Sequence, residues 1–199
     1  MRATVVLAHP SPTSFTHACA AAATRGLQAA GHEVTTLDLY AMGFQPAMTD
    51  AERHAYHGDE PVIDPLVAES VVAVQQAEML VFVYPTWWSG MPAMLKGWLE
   101  KTMLPGVAFV FDTRGKVRPG LQTVRHIIGI TSYGSSRMFV KAINDNGRRT
   151  LLRALRLNTG WRTKRLWLPM YSIDGSTPER RTEFIASVEK SMAALKVTQ

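Results

Sequence analysis

The sequence predicts a single α/β domain, an open and doubly wound sheet of five parallel strands with helices on both faces. Two observations carry this. Short apolar stretches of strand length, at 3–8, 33–39, 79–84, 123–130 and 164–170, alternate with stretches of helical pattern. Such alternation builds crossover connections and a parallel sheet. The second observation is where the polar and glycine-rich turns fall. Those at 9–14, 85–91 and 131–136 each follow a strand, which gathers them at the carboxyl edge of the sheet, where open α/β folds bind ligands. A chain of 199 residues is long enough for one substantial core and short for two.

Taken in order, strand 3–8 runs into a polar turn from His9 to Ser14 and an alanine-rich helix at 15–30, closed by Gly31. Glycine suits the position just past a helix end. Thr13 and Ser14 have hydroxyls that can cap this helix, and the amides beside them face an anion site. Strand 33–39 is followed by a loop over 40–48. Thr49 with Glu52 three residues on forms a capping box that opens a short helix through about His57. An irregular acidic stretch, 58–65, leads to an amphipathic helix at 66–77.

The stretch 84–109 is the most informative. Strand 79–84 ends at Pro85; Trp87, Trp88, Ser89 and Gly90 make a short loop; Pro92 suits the first turn of a helix at 92–102. Met94, Leu95 and Trp98 recur at helical spacing, so one face of that helix packs inward. Adjacent Trp87 and Trp88 in so short a turn are poorly suited to being buried together, and one is expected to lie flat against something planar. Beyond them, 111–120 reads as a surface loop or lid, 148–157 as a helix, and 177–195 as a last helix capped by Thr177.

Composition narrows the function. The chain is 46% hydrophobic and 19% charged, an ordinary globular balance. No run is long enough for a membrane span, and the N-terminus reads as a strand rather than a signal peptide, so a cytoplasmic protein is expected. Cys19, the single cysteine, sits in the alanine-rich helix as a small core hydrophobe and offers no disulfide. His54 and His57 stand three apart without a third ligand nearby, so no metal is predicted. Residues 1–80 hold three basic and nine acidic side chains and residues 81–199 nineteen and seven; seven of the basic ones fall between Arg148 and Arg165. Arg149, Arg153 and Arg156 share a helix face there. They read as a solvated surface or as an attractor for the phosphates of NADPH. Without interleaved exposed aromatics they do not predict nucleic-acid binding.

The dinucleotide and nucleoside-triphosphate fingerprints, G-x-G-x-x-G and G-x-x-x-x-G-K-[ST], are both missing. A turn with phosphate donors, one with aromatic faces and one with free amides nevertheless suit a ligand with a phosphate end and a flat ring end. A flavin nucleotide fits that description. No Ser/His/Asp arrangement or paired-carboxylate signature is evident, in keeping with chemistry carried by a cofactor.

Four motifs give a family resemblance: Ala8, His9, Pro10, Ser14 and Phe15 after strand one; the run from Asp38 to Pro46 after strand two; the segment 85–109; and Thr131, Ser132, Tyr133 and Gly134. In combination they resemble the NAD(P)H:quinone oxidoreductases of the flavodoxin-like superfamily, the DT-diaphorase group and its bacterial relatives. The resemblance implies strand order 2-1-3-4-5. It implies that His9, Thr13, Ser14, Phe15 and Thr16 hold flavin phosphates. Pro85, Thr86, Trp87, Trp88 and Ser89 would line the ring, and Thr131, Ser132, Tyr133 and Gly134 its N1/O2 side, with Trp88, Tyr133 and Gly134 closest to the chemistry. FAD is the expected cofactor, FMN an open alternative, and NAD(P)H the co-substrate. The implied reaction is a ping-pong hydride transfer to quinones or similar planar electrophiles. A homodimer is also implied, with helix 92–102, Trp98 and Met103 as its candidate surface. A tyrosine and a histidine of mammalian members are replaced here by Phe139 and, at about the histidine's place, Asp145. A flavodoxin-type electron carrier and a flavin-binding regulatory subunit of a potassium-efflux system are the rival expectations.

Overall fold

Among the described residues, strands β1 (Arg2–Leu7), β2 (Glu33–Asp38), β3 (Met79–Pro85), β4 (Phe109–Phe111), β5 (Val117–Pro119), β6 (His126–Ser132) and β7 (Lys164–Met170) are interspersed with seven α-helices. This computed structural model describes residues 1–58 and 60–196. The five long strands form one parallel sheet in the order β2-β1-β3-β6-β7; counted among themselves they run 2-1-3-4-5, as predicted.

Side chains alternate across each strand, and both faces of the sheet are covered. Ala3, Val5, Leu7, Val81, Val83, Ile128 and Ile130 pack against α1 (Phe15–Ala29) and α7 (Pro178–Ala193). Val6, Leu80, Phe82, Tyr84 and Ile127 face α3 (Pro65–Gln76) and α4 (Ala93–Thr102). Every residue of central β3 is buried, which explains its unbroken apolar run.

The predicted caps form. Ser14 accepts from the His17 amide, Thr177 from that of Arg180, and Thr49 and Glu52 make a reciprocal box at α2 (Asp50–Ala55). Gly31 follows the last turn of α1 with φ +80°, a conformation that an L side chain rarely adopts.

Several boundaries differ from the sequence reading. The 123–130 strand moves to His126–Ser132: Thr131 and Ser132, though polar, are held in register by Tyr84 and Pro85 on one side and Pro169 and Met170 on the other. The third turn therefore starts at Tyr133. The 111–120 loop is the tip of a β4–β5 hairpin. Pro92 caps α4 from outside its first turn. The helix read at 148–157 is an unbroken helical run over 146–158 that changes type, from α6 (Asn146–Arg149) to a π turn at Thr150–Ala154 and a 3-10 turn at Leu155–Asn158, and α5 (Arg137–Ala142) precedes it. Asn144 and Asp145, at φ 75° and 39°, break the chain between α5 and α6.

Trp98 does not offer a contact surface for a second subunit. It is wholly buried, donates its indole N–H to Ser70 at 3.0 Å and meets Phe82 edge to face. Met103 packs against the same core. The inward packing read from the spacing of Met94, Leu95 and Trp98 thus holds, and it leaves Trp98 unavailable as a contact surface.

A buried cation ties the loops before α4 to that helix. The Lys101 ammonium lies 2.7 Å from Glu52 and 3.3 Å from Asp64, donates to the Gln45 carbonyl at 2.9 Å, and sits over the Phe44 ring. Burial pushes the Glu52 carboxyl up, but hydrogen bonds from Lys101 and Thr49 outweigh it and hold the group below its ordinary value. No described helix is long and apolar enough to cross a membrane.

Candidate functional site

The three turns come together at the carboxyl edge of the sheet. The Thr86 amide donates to the Ser132 carbonyl at 2.8 Å, and the Thr86 and Thr131 hydroxyls lie 3.1 Å apart, joining the second turn to the end of β6. The first turn joins through aromatic contact: the His9 and Trp87 ring centroids are 5.8 Å apart.

In the first turn, His9 accepts the Ser11 amide at Nδ1 (3.0 Å), and burial pushes the imidazole pKa down, favouring the neutral ring that this bond requires. The Ser11 and Thr13 hydroxyls lie 3.3 Å apart beside the start of α1, where first-turn amides lack helical partners. Phe15 packs on Phe184 of α7, and Thr16 is buried. These two anchor the turn from below, while Ser11 and Thr13 are exposed.

One arrangement that the sequence had not revealed lies here. Asp38 at the end of β2 meets His17 Nε2 at 3.1 Å, and His17 Nδ1 lies 3.0 Å from the Ser14 hydroxyl. A Ser/His/Asp chain therefore exists, contrary to expectation, but Ser14 Oγ also accepts the His17 backbone amide at 3.2 Å. That commits it to capping the helix. Asp38 further accepts the amides of Tyr40 and Ala41. The chain holds the first turn rigid against the end of β2; its one signal in the sequence was a histidine three residues after a cap.

The second turn is a tight hairpin. Trp87 and Gly90 exchange two backbone bonds of 3.0 Å, leaving Trp88 and Ser89 at its tip with φ 47° and 61°. Two-residue turns of this hand favour Asn-Gly; holding tryptophan and serine there is strained, of a kind concentrated at binding sites. Trp88 is fully exposed and Trp87 partly so. Neither fills the space between the turns.

That space is a pocket of about 260 Å³ lined by Thr86, Trp88, Ser89, Tyr133, Gly134, Ser135, Val140, Ile143 and Asp145. Pro85, Thr131 and Ser132 stand behind it in the sheet. Tyr133 is buried, stacks on Tyr171 at 5.0 Å, and donates its hydroxyl to both Asp145 oxygens at 3.0 Å. Gly147 lets α6 approach closely: a Cβ there would stand 3.0 Å from the Tyr84 hydroxyl, itself buried without a partner. Burial, and then the Asp145 charge, raise the pKa of Tyr84, Tyr133 and Tyr171 above the ordinary phenol value. The three hydroxyls thus stay protonated around one carboxylate. Phe139, which the resemblance sets in the family tyrosine's place, is half-exposed on α5 and outside this lining.

Other candidates fall away from the pocket. Cys19 is buried and its thiol pKa is pushed up to about 12 by burial, so it stays protonated. His54 bonds to Asp50 on an exposed helix, and no group of three or more metal-ligating side chains occurs among the described residues.

A 2-1-3-4-5 parallel sheet with three turns gathered at its carboxyl edge, the second and third lining a pocket, defines a flavodoxin-like domain. The family model described as flavodoxin-like fold matches residues 1–194. Within that fold the chain belongs to the NAD(P)H:quinone oxidoreductases, as its motifs had suggested, and is an oxidoreductase. NAD(P)H dehydrogenase [quinone] 1 of Cavia porcellus is 31% identical over 211 residues, covering 96% of this chain and 76% of that protein. Two solved structures share the fold: a Streptococcus mutans UA159 protein (24% identity, TM-score 0.83, 98% of this chain and 100% of that one) and the NAD(P)H:quinone oxidoreductase from Methanothermobacter marburgensis (23% identity, TM-score 0.79, 100% and 98%).

Proposed function

We propose that this chain is a flavin-dependent NAD(P)H:quinone oxidoreductase that works by a ping-pong, two-electron transfer. The carrying observation is the pocket between the strained Trp88–Ser89 turn and the Tyr133–Asp145 pair. Its fit to a flavin rests on three features: the open space itself, an exposed tryptophan at its mouth, and the unpartnered Tyr84 hydroxyl behind it. His9, Thr13, Ser14, Phe15 and Thr16 would hold the phosphate end. Pro85, Thr86, Trp87, Trp88 and Ser89 would hold one side of the ring, and Thr131, Ser132, Tyr133 and Gly134 the other. A bound flavin, FAD in this reading, supplies hydride uptake from NAD(P)H and hydride delivery to a planar acceptor.

The chain's own part is positioning and proton handling. The two backbone bonds between Trp87 and Gly90 leave the Trp88 and Ser89 amides free of that pair, available as fixed donors toward negative charge. Tyr133 retains its proton at Oη, and Asp145 accepts that hydrogen bond. In this reading the pair takes over the role of the mammalian tyrosine and histidine, Asp145 from about the histidine's place and Tyr133 from outside the tyrosine's, which Phe139 fills. Trp88 limits acceptors to flat molecules that can slide beneath it. The expected homodimer would use surfaces other than the buried Trp98.

The test is direct. Purified protein is expected to be yellow and to release FAD on denaturation, identified by chromatography. NADH or NADPH alone should bleach it within the instrument mixing time or shortly after, and a benzoquinone should restore the colour. Failure to associate with either FAD or FMN would sink the proposal. Slow bleaching with no quinone turnover would favour an electron carrier instead.

A further inference from the structure

A second, larger cleft of about 560 Å³ adjoins the pocket. Val140 and Asp145 line both, and the Tyr133–Tyr171 stack spans the wall between them, Tyr133 facing the pocket and Tyr171 the cleft. The cleft is lined by Arg137, Lys141, Arg148, Arg149, Arg153 and Arg165, with Asp145 as its single carboxylate. All six cations are exposed, and among the described residues none enters a salt bridge. The Asp145 carboxylate is already taken up by the Tyr133 hydroxyl.

The cleft follows the edge strand of the sheet. Arg165, Trp167 and Tyr171 fall at alternate positions along β7 and its extension, so their side chains share one side. From Tyr171 back to Arg165 this spans about 20 Å at the usual rise of a strand. Of the three arginines the sequence singled out, Arg149 and Arg153 point into the cleft. Arg156 turns away to the Trp161 carbonyl at 2.7 Å.

We propose that this cleft seats the phosphates of NADPH, the 2′-phosphate above all, and so makes NADPH the preferred reductant over NADH. The inference rests on the function proposed above, with the nicotinamide end reaching the pocket. Six cations with one occupied carboxylate attract a ligand carrying several negative charges, and guanidinium forks match phosphate oxygens in pairs. A 2′-phosphate adds up to two charges beyond the pyrophosphate that NADH also carries, and an arginine at that group is the general means of telling the two apart.

Isothermal titration of the full, flavin-loaded protein with 2′,5′-ADP, 5′-ADP and inorganic phosphate tests this. Tighter binding of 2′,5′-ADP than of 5′-ADP, by about tenfold or more, is expected. The double variant Arg149→Ala/Arg153→Ala should lose most of that preference, and the ratio of kcat/KM for NADPH to that for NADH should fall by a similar factor, through KM. Arg162→Ala, an exposed arginine outside the cleft, should leave the ratio unchanged. Equal binding of the two nucleotides, inorganic phosphate binding as tightly as 2′,5′-ADP, or a double variant that keeps the preference each overturns the inference. So does a double variant that changes oligomeric state, because the cations would then belong to a subunit contact. Quinone turnover with NADH but no 2′-phosphate preference defeats this inference alone; no turnover with either nucleotide defeats the function as well.

Discussion

Lys101 and the arginines of the α5–β7 cleft are positive charges that the fold treats in opposite ways. The Lys101 side chain is 2% exposed and meets two carboxylates and a carbonyl. The cleft cations are exposed, Arg165 alone donating to a carbonyl, that of Leu152, and among the described residues none meets a carboxylate in a salt bridge. A buried ammonium would be strongly destabilising without partners, so its partners identify it as architecture. An exposed guanidinium carries no such penalty and keeps its field available to a ligand. The lesson is that charge alone says little about function; whether the charge is already neutralised says more.

Breaking the paired side should have the largest effect. Lys101→Met leaves Glu52 and Asp64 facing each other across the space it filled, and a loss of about 3 kcal/mol is expected in urea denaturation. If the midpoint hardly moves, Lys101 is not the tie described. Tyr133→Phe comes next: Asp145 loses its hydroxyl donor and keeps only the longer bond from the Arg148 amide while staying partly buried, with an expected loss of about 1–2 kcal/mol by the same measurement. Because Asp145 would then be free to neutralise its neighbours, nucleotide binding in the cleft should also weaken.

The acid limb sharpens the paired side further. Although burial pushes it up, the Glu52 carboxyl is held below 4.5, the ordinary value of a glutamate, by its bonds to Lys101 and Thr49. The unfolded chain thus binds the extra proton first, and the stability from Glu52 is present above about pH 4.5 and lost as pH falls through the folded value. Stability measured from pH 6 to pH 3 should show this loss in the native chain and much less of it in Lys101→Met. The smallest effect belongs to the unpaired side. Arg149→Gln removes one of six uncompensated cations and should change stability by no more than about 0.5 kcal/mol, in the stabilising direction. A substantial loss there would mean that the arginine has a structural partner.

The fold was legible wherever the signal is local or periodic. The 79–84 run read as a buried strand because both of its faces are covered. Ser14, Thr49 and Thr177 read as caps because a hydroxyl and an amide three residues on suffice to make one. The helical run at 148–157 was legible, but α5 and the changes of helix type were not: a six-residue helix, a π turn and a 3-10 turn are too short to show a period of their own. Thr131 and Ser132 were assigned to a turn because polar residues resemble turns until neighbouring strands supply their partners.

By itself, then, the sequence determined a parallel α/β sheet, the placing of three ligand-facing turns at one edge, and the family. The first two follow from short-range patterns of burial, capping and turn chemistry, the family from the resemblance of its motifs. Only the tertiary structure decided where single polar groups point. The Tyr133 hydroxyl on Asp145, the Ser14–His17–Asp38 chain, the partners of Lys101 and the open row of arginines all join residues from separate elements. Such pairings depend on distances through space, fixed only once β1, β3, β6 and β7 lie side by side and α6 has closed over Gly147.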